Sequence, residues 1–459
     1  MFEPSSSTVV PRHAIEPLQA AIADSPVVLV HGPRQCGKTT LVQVFGGRDG
    51  REYFTFDDAG LRAAATEDPT GFVARLPTRV ALDEIQLVPQ LFSAIKASVD
   101  RDRQPGRFLL TGSTNVLLLP RLSDSLAGRM AIQRLRPLSR AEIEGVRPEF
   151  LDCAFAGEFP GERVERLGGR MAAMLAGGGF PAALQRKSES RRVAWYLDYV
   201  ETIVQRDIRQ ISRIAEAAAL PRLLELAAGQ TARLLNVNEL AAPFHVSRPT
   251  IRDYTTLLAR VFLIEELPPW FHNRLSRLVK TPKLHMTDTG LACALLGVRA
   301  DGLAAERQLL GQMLESFVLH ELRCQCGWRD DDIRISHFRD RDGGEVDFVL
   351  ERGRRVVGVE VKAGATVSGS DFNGLRKLQT ATKDAFAAGI VLHDGERCLS
   401  FGDRMFAVPL SLLWRQQRGR GGASVAREAA AWSAAWRRAA VGGARRRTER
   451  PQRRRVPLP

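Results

Sequence analysis

Eight consecutive residues, Gly32, Pro33, Arg34, Gln35, Cys36, Gly37, Lys38 and Thr39, carry the pattern G-x-x-x-x-G-K-[ST]. They follow a short β-branched run at 27–30 and precede a stretch at 39–45 whose composition predicts the start of a helix. The chemistry of that pattern is phosphate binding. Its glycines let backbone N–H groups turn inward around an anion, and the helix N-terminus adds partial positive charge. Lys38 is expected to reach the β- and γ-phosphates of ATP and Thr39 to ligate Mg2+, with Thr40 counted among the loop residues. About 45 residues on, the run RVALDE is an apolar strand ending in two adjacent carboxylates. Asp83 suits a second Mg2+ contact, and Glu84 suits a group that orients or deprotonates the attacking water. A third run, RFLLTGS, again leads from a strand into small polar side chains, Thr111 and Ser113.

A separate set of charged residues lies near the C-terminus. Glu315 falls on a predicted helix, Asp347 follows Gly343-Gly344-Glu345-Val346, and Glu360-Val361-Lys362 follows on the next predicted strand. Period-2 geometry puts Glu360 and Lys362 on one face. An Asp followed by Glu-x-Lys on a neighbouring strand resembles the core of the PD-(D/E)XK nuclease fold. That resemblance implies that Asp347 and Glu360, with Glu315, hold Mg2+ while Lys362 positions water near a scissile phosphate.

The elements that must position these groups are of two kinds. Strand signals at 27–30, 53–56, 80–82 and 108–111 alternate with helical stretches, which implies an α/β P-loop NTPase with a parallel sheet over 1–147. Helical signals then dominate over 148–219. In the run LNVNELAAPFHVSRPTIRDY a helix at 237–242, a break at Pro243 and a helix at 248–258 form a helix-turn-helix pattern. Its second helix would present Ser247, Arg248, Thr250 and Arg252. A module over 220–272 and a sheet-containing domain over 273–417, with a helix at 309–324 and strands at 333–338, 345–350 and 356–361, complete the folded part.

Apolar residues at 44% and charged residues at 26% are ordinary for a globular protein, and 459 residues are enough for about three domains. No apolar run approaches the roughly 18–20 residues that span a bilayer. The six scattered cysteines do not suggest a disulfide framework, and the N-terminus does not read as a secretory signal, so a cytoplasmic protein without membrane partners is expected. The net charge of +14 is concentrated in residues 418–459, where 12 Arg face 2 Glu. Such an Arg-rich, Gly- and Ala-rich tail is expected to be disordered and attracted to polyanions.

The runs VVLVHGPRQCGKTTLV, RVALDEIQLVPQLFSAIK and RFLLTGSTNVLLLPRLSDSLAGRMAIQRLRPLS together resemble the prokaryotic AAA+ ATPases known simply as ATP-binding proteins, and YLDYVETIVQRDI resembles the opening of the C-terminal domain of unknown function that follows in them. The resemblance implies ATP and Mg2+ as ligands and ATP hydrolysis. It further implies a polar contact to the γ-phosphate or attacking water at Ser113, with Thr111 and Asn115 as competitors, and an arginine finger at Arg129. It extends the helix-turn-helix to a winged helix with a wing strand at 262–267, ahead of the α/β restriction-endonuclease-like domain. Two functions are compatible with this reading. One couples ATP hydrolysis to binding or processing of nucleic acid, DNA above all, through the winged helix, the nuclease-like domain and the tail. The other is an ATP-dependent switch acting on a protein partner, with an inactive nuclease-like domain. A homo-oligomer fits either.

Overall fold

The computed structural model describes residues 10–415 apart from 114–125, 127, 160, 162, 209–218, 245–246, 271–280 and 341–343. The basic tail and Asn115 lie outside the described residues.

The first sheet grows from the apolar runs seen in the sequence. Helix α1 (Ile15–Asp24) leads into β1 (Val27–His31), which is buried along its whole length, and then into α2 (Lys38–Asp49). Strands β2 (Glu52–Thr55), β3 (Val80–Asp83), β4 (Phe108–Gly112) and β5 (Met130–Arg134) follow, with α3 (Leu91–Arg101) between β3 and β4. The order is β2-β3-β4-β1-β5, and every pairing is parallel. Side-chain alternation splits the core between the two faces. Val27, Leu29, Val80, Leu82, Phe108 and Leu110 pack with α3, while Val28, Val30, Ala81 and Leu109 pack with α1 and α2. The sequence pattern missed β5. It is an edge strand with Ile132 exposed, and its short apolar stretch, Met130 to Ile132, has a single β-branched residue.

A single apolar core then runs from Ala141 to Trp414, so the regions after β5 are not independently packed. Helices α4 (Phe150–Ala156) and α5 (Glu189–Thr202) contribute to it, and α5 continues as a π-helical turn at Ile203–Ile208. The helix-turn-helix residues form α6 (Val237–Ala241) and α7 (Arg248–Arg260). Ser247 caps α7 by accepting the Thr250 N–H at 3.3 Å, and Pro249 sits in the first turn, where its missing N–H costs nothing. Strands β6 (Arg233–Leu234), β7 (Ile264–Leu267) and β8 (Lys283–Met286) form an antiparallel sheet in the order β6-β8-β7. Strand β8 lies beyond the boundary expected at 272/273 and is hydrogen-bonded to both strands before it.

The last sheet comprises β9 (Ile333–Arg339), β10 (Glu345–Arg352), β11 (Arg355–Val361), β12 (Phe386–His393), β13 (Leu399–Ser400) and β14 (Met405–Pro409). Its order is β13-β14-β12-β11-β10-β9. The β9-β10-β11 part is antiparallel, whereas β11-β12 and β12-β14 are parallel. The long helix α8 (Arg307–Gly327) and α4 cover one face, and α9 (Asn373–Thr382) covers the other.

Candidate active site: the phosphate loop and a second charged centre

Strand β1 ends at the loop 32–37, whose path depends on two glycines. A Cβ on Gly32 would meet the Leu135 carbonyl oxygen at 2.0 Å, so the loop can lie this close to the end of β5 only without a side chain. Gly37, at φ 103°, turns the chain into α2 through a backbone region that L side chains rarely adopt. Arg12 braces the loop from behind. Its buried guanidinium donates to the Cys36 and Arg136 carbonyls at 2.7 Å each and to Glu142 at 2.9 Å. Cys36 is fully buried and does not face the cleft.

Lys38, only 4% exposed, donates to the Gly32 and Pro33 carbonyls at 3.0 and 2.8 Å, which holds its ammonium over the loop. The Thr39 hydroxyl donates to Asp83 at 3.1 Å, so the two groups expected to share Mg2+ are adjacent and fit that ion. Asp83 also accepts from Tyr53 at 2.6 Å and from Thr111. Burial and the Asp83 carboxylate push the Tyr53 phenol upward, which keeps it a donor. Neither Tyr53 nor this use of Thr111 was legible beforehand, since each reaches Asp83 from a neighbouring strand.

Glu84 sits at φ 57°, a left-handed conformation held by its N–H donating to Thr111 Oγ1 at 3.0 Å. The turn aims its carboxylate toward Ser113 Oγ, which donates at 3.0 Å, and toward Gln86 Nε2, which also donates to Ser113 at 3.0 Å. Gln86 is a further residue of the site that motif reasoning missed. Arg34, Gln35, Gly37, Lys38, Thr39, Thr40 and Glu84 line a cleft of about 510 Å³ whose far wall is α5. There Trp195 and Tyr199 stack with ring centroids 5.3 Å apart, and the Tyr199 hydroxyl donates to the Arg34 carbonyl at 3.3 Å.

Arg129 lies elsewhere. It precedes Met130, which is level with Val27 at the start of β1, whereas Leu135 approaches the loop. Six residues of strand put it roughly 20 Å from the phosphate loop of its own chain. It is ion-paired with Asp100 at 2.5 Å.

The C-terminal residues do converge, around a partner that their spacing did not announce. Lys283, from β8, has its ammonium 2.9 Å from Glu315, 2.8 Å from Glu345 and 3.0 Å from Asp347. Burial alone would lower the pKa of Lys283, but the three carboxylates outweigh it and hold the ammonium well above its ordinary range. Asp347 also accepts the Val361 N–H at 3.0 Å. Lys362 pairs with Glu360 at 2.7 Å, and the second Glu360 oxygen is buried without a partner. Burial, then Asp347, push Glu360 up to about 8 and raise Glu315 well above the carboxylate range. Among the described residues no group of three or more His, Cys, Asp or Glu is arranged to hold a metal ion. The expected set Glu315, Asp347 and Glu360 therefore does not fit Mg2+ in this conformation. A lysine fills the space that the acidic side chains surround.

The β2-β3-β4-β1-β5 parallel sheet, with the loop at the end of β1 and the acidic pair at the end of β3, defines an AAA-type P-loop ATP-binding protein followed by a helical region and a separate sheet. The comparisons agree. The family model described as AAA domain matches residues 24–144, and two described as domains of unknown function, DUF8612 and DUF4143, match 170–302 and 310–413. The chain is 31% identical over 401 residues to Uncharacterized protein Rv2008c of Mycobacterium tuberculosis and, to the same extent, to Uncharacterized protein Mb2031c of Mycobacterium bovis, covering 87% of this chain and 83% of each relative. It belongs to their family, an AAA domain joined to a DUF4143 domain. Among solved structures it is similar to the Walker-type ATPase PABY2304 of Pyrococcus abyssi at 15% identity and a TM-score of 0.40, over 64% of this chain and 99% of that one. Among the described residues no helix is long and apolar enough to cross a membrane.

Proposed function

We propose that this chain hydrolyses ATP with Mg2+ and uses the nucleotide cycle to control how its C-terminal half engages nucleic acid, DNA above all. The observation that carries the reading is the meeting of Lys38, Thr39, Asp83 and Glu84 at one cleft. When bound, Mg2+ would neutralise charge on the β- and γ-phosphates. Lys38 then holds the phosphates, Thr39 and Asp83 hold the ion, and Glu84, steadied by Ser113 and Gln86, orients the attacking water.

Coupling has a direct physical route. Arg136, just beyond β5, donates to Glu265 of β7 at 3.2 Å, and Arg134 and Arg323 approach the same carboxylate at 3.5 Å each. These arginines hold Glu265 well below the carboxylate range against the opposing effect of burial, so it stays charged. The helices α6–α7 with the β7–β8 hairpin make a winged-helix-like unit whose exposed Ser247, Arg248 and Arg252 suit phosphate contacts. A finger role for Arg129 would require a second copy, so it is tied to the proposal of a homo-oligomer, which we place in the cytoplasm. A second reading, a switch for a protein partner, is favoured by one observation: Lys283 occupies the acidic centre, which suits a domain that binds rather than cuts. Mg2+-dependent phosphate release from ATP, measured with and without DNA and RNA, tests both. Stimulation by nucleic acid supports the first reading, and turnover indifferent to it supports the second.

A further inference from the structure

Four carboxylates and two lysines gather where the β6-β8-β7 sheet meets the six-stranded sheet, and their arrangement is specific about which cation belongs there. An ammonium has three N–H donors. Lys283 has a carboxylate within hydrogen-bond reach for each: Glu315 at 2.9 Å, Glu345 at 2.8 Å and Asp347 at 3.0 Å. Its side chain is only 2% exposed, so water does not compete for those donors. Two residues along β8 on the same face, the fully buried His285 points Nε2 toward Glu315 at 3.9 Å without a hydrogen-bond partner, and Glu360 keeps one buried oxygen unpartnered. The centre thus gathers more ligating atoms than a single ammonium can satisfy.

The lysine is also anchored where it stands. Beyond β7 the chain is stitched to β9, with the Trp270 N–H donating to the His337 carbonyl at 2.5 Å and the His337 N–H to the Pro268 carbonyl at 2.9 Å. Strand β8 is paired with β7, so Lys283 is delivered from a neighbouring sheet by a strand that is itself hydrogen-bonded in place. A Mg2+ or Mn2+ ion at the same carboxylates would need several oxygens close to 2.0–2.2 Å in a near-octahedral shell. The Lys283 nitrogen stands in the middle of three of those oxygens, and both cations cannot be accommodated.

We infer that Lys283 is the resident cation of this centre, a tethered substitute for a divalent ion, and that the carboxylate set becomes a metal site only when that ammonium is removed. This goes beyond the ATPase reading and does not depend on it. The full chain, free of nucleotide, is compared as wild type, Lys283→Met and Lys283→Met/Asp347→Asn. Mn2+ binding is read by electron paramagnetic resonance and stability by thermal unfolding. Loss of the ammonium leaves buried carboxylates uncompensated, so the melting temperature of Lys283→Met should fall by about 10 °C in metal-free buffer. Added Mn2+ should recover most of that loss, and Lys283→Met should bind Mn2+ at an Asp347-dependent site about tenfold or more tighter than wild type does. Any Mn2+ taken by Thr39 and Asp83 is common to all three proteins and cancels. An Asp347-dependent Mn2+ site of equal affinity in wild type would overturn the inference, as would a folded Lys283→Met that gains no Mn2+ binding. If Lys283→Met does not fold in metal-free buffer, Mn2+-dependent refolding is the expected result. Failure of both Mn2+ with Lys283→Met and propylammonium with Lys283→Ala to restore folding would equally overturn it.

Discussion

Replacing Glu84 with Gln isolates the chemical step from nucleotide binding, because the two rest on different parts of the site. The Glu84 carboxylate is steadied by Ser113 at 3.0 Å and by Gln86. The turn at φ 57° is held by the backbone N–H donating to Thr111 and survives the change, and a glutamine keeps an oxygen for the Ser113 hydroxyl but can no longer accept a proton from water. A positioned general base is worth about 10²–10⁴ in rate, or roughly 3–5 kcal/mol of barrier. Glu84→Gln should therefore lower kcat by at least about a hundredfold while ATP affinity moves by less than about threefold. Lys38→Ala should do the reverse. Its ammonium, held by two loop carbonyls at 2.8 and 3.0 Å, is already poised at the loop. Losing two charge-assisted bonds to phosphate costs about 3–6 kcal/mol, a drop of about 10²–10⁴ in affinity. Titration with a fluorescent ATP analogue gives Kd, and phosphate release at saturating Mg-ATP gives kcat. Wild-type turnover in Glu84→Gln would refute the role assigned to that carboxylate, and parallel losses of Kd and kcat in both variants would refute the division of labour.

Other expectations follow from the remaining charges. Glu321 is fully buried, accepts the Arg140 N–H at 2.6 Å, and is pushed by burial from an ordinary 4.5 up to about 8. The folded state thus prefers it protonated, and its penalty grows as pH rises from about 4.5 to 8; Glu321→Gln should stabilise by about 4 kcal/mol at pH 7.5 and not at all below pH 4, read from urea midpoints across pH. Glu265→Gln leaves the Arg134, Arg136 and Arg323 guanidiniums facing one another, which should cost about 3–5 kcal/mol in the same assay, and an unchanged midpoint would mean the ion cluster does not hold the hairpin to the ATPase sheet. Truncation before Arg418 removes a tail of charge +10, so the salt dependence of DNA binding should flatten by several units of log–log slope without a change in base preference. An unchanged slope would show that the tail does not touch phosphate.

What the sequence revealed and what it concealed divide along chain distance. Gly32 to Thr39 are contiguous, and each backbone requirement there is local: a buried strand, a loop that excludes a Cβ at Gly32, a helix start. Asp83 and Glu84 follow a continuous apolar run, Val80 to Leu82, in a strand buried along its whole length, so the end of that run marked their position. Strand β5 escaped because its apolar stretch, Met130 to Ile132, has a single β-branched residue and runs straight into Gln133 and Arg134. Tyr53 and Gln86 escaped because one reaches Asp83 across from the neighbouring strand β2 and the other enters from a turn, where no local pattern marks a side chain's partner.

The charged centre near the C-terminus is the sharper case. The spacing of Asp347, Glu360 and Lys362 was enough to put those groups at one edge of a sheet, since adjacent antiparallel strands bring them together whatever else the chain does. It carried no information about what lies over that edge. Lys283 sits 32, 62 and 64 residues from Glu315, Glu345 and Asp347, inside KLHM, a strand whose composition would suit any half-buried hairpin. Its role follows only from β8 pairing with β7 and that hairpin being fastened to β9. A carboxylate motif therefore specifies a negative potential, and the tertiary fold selects the cation that answers it. Here that selection ties the acidic centre to the same hairpin whose Glu265 is bonded to Arg136 at the end of the ATPase sheet. One hairpin thus contacts both charged centres.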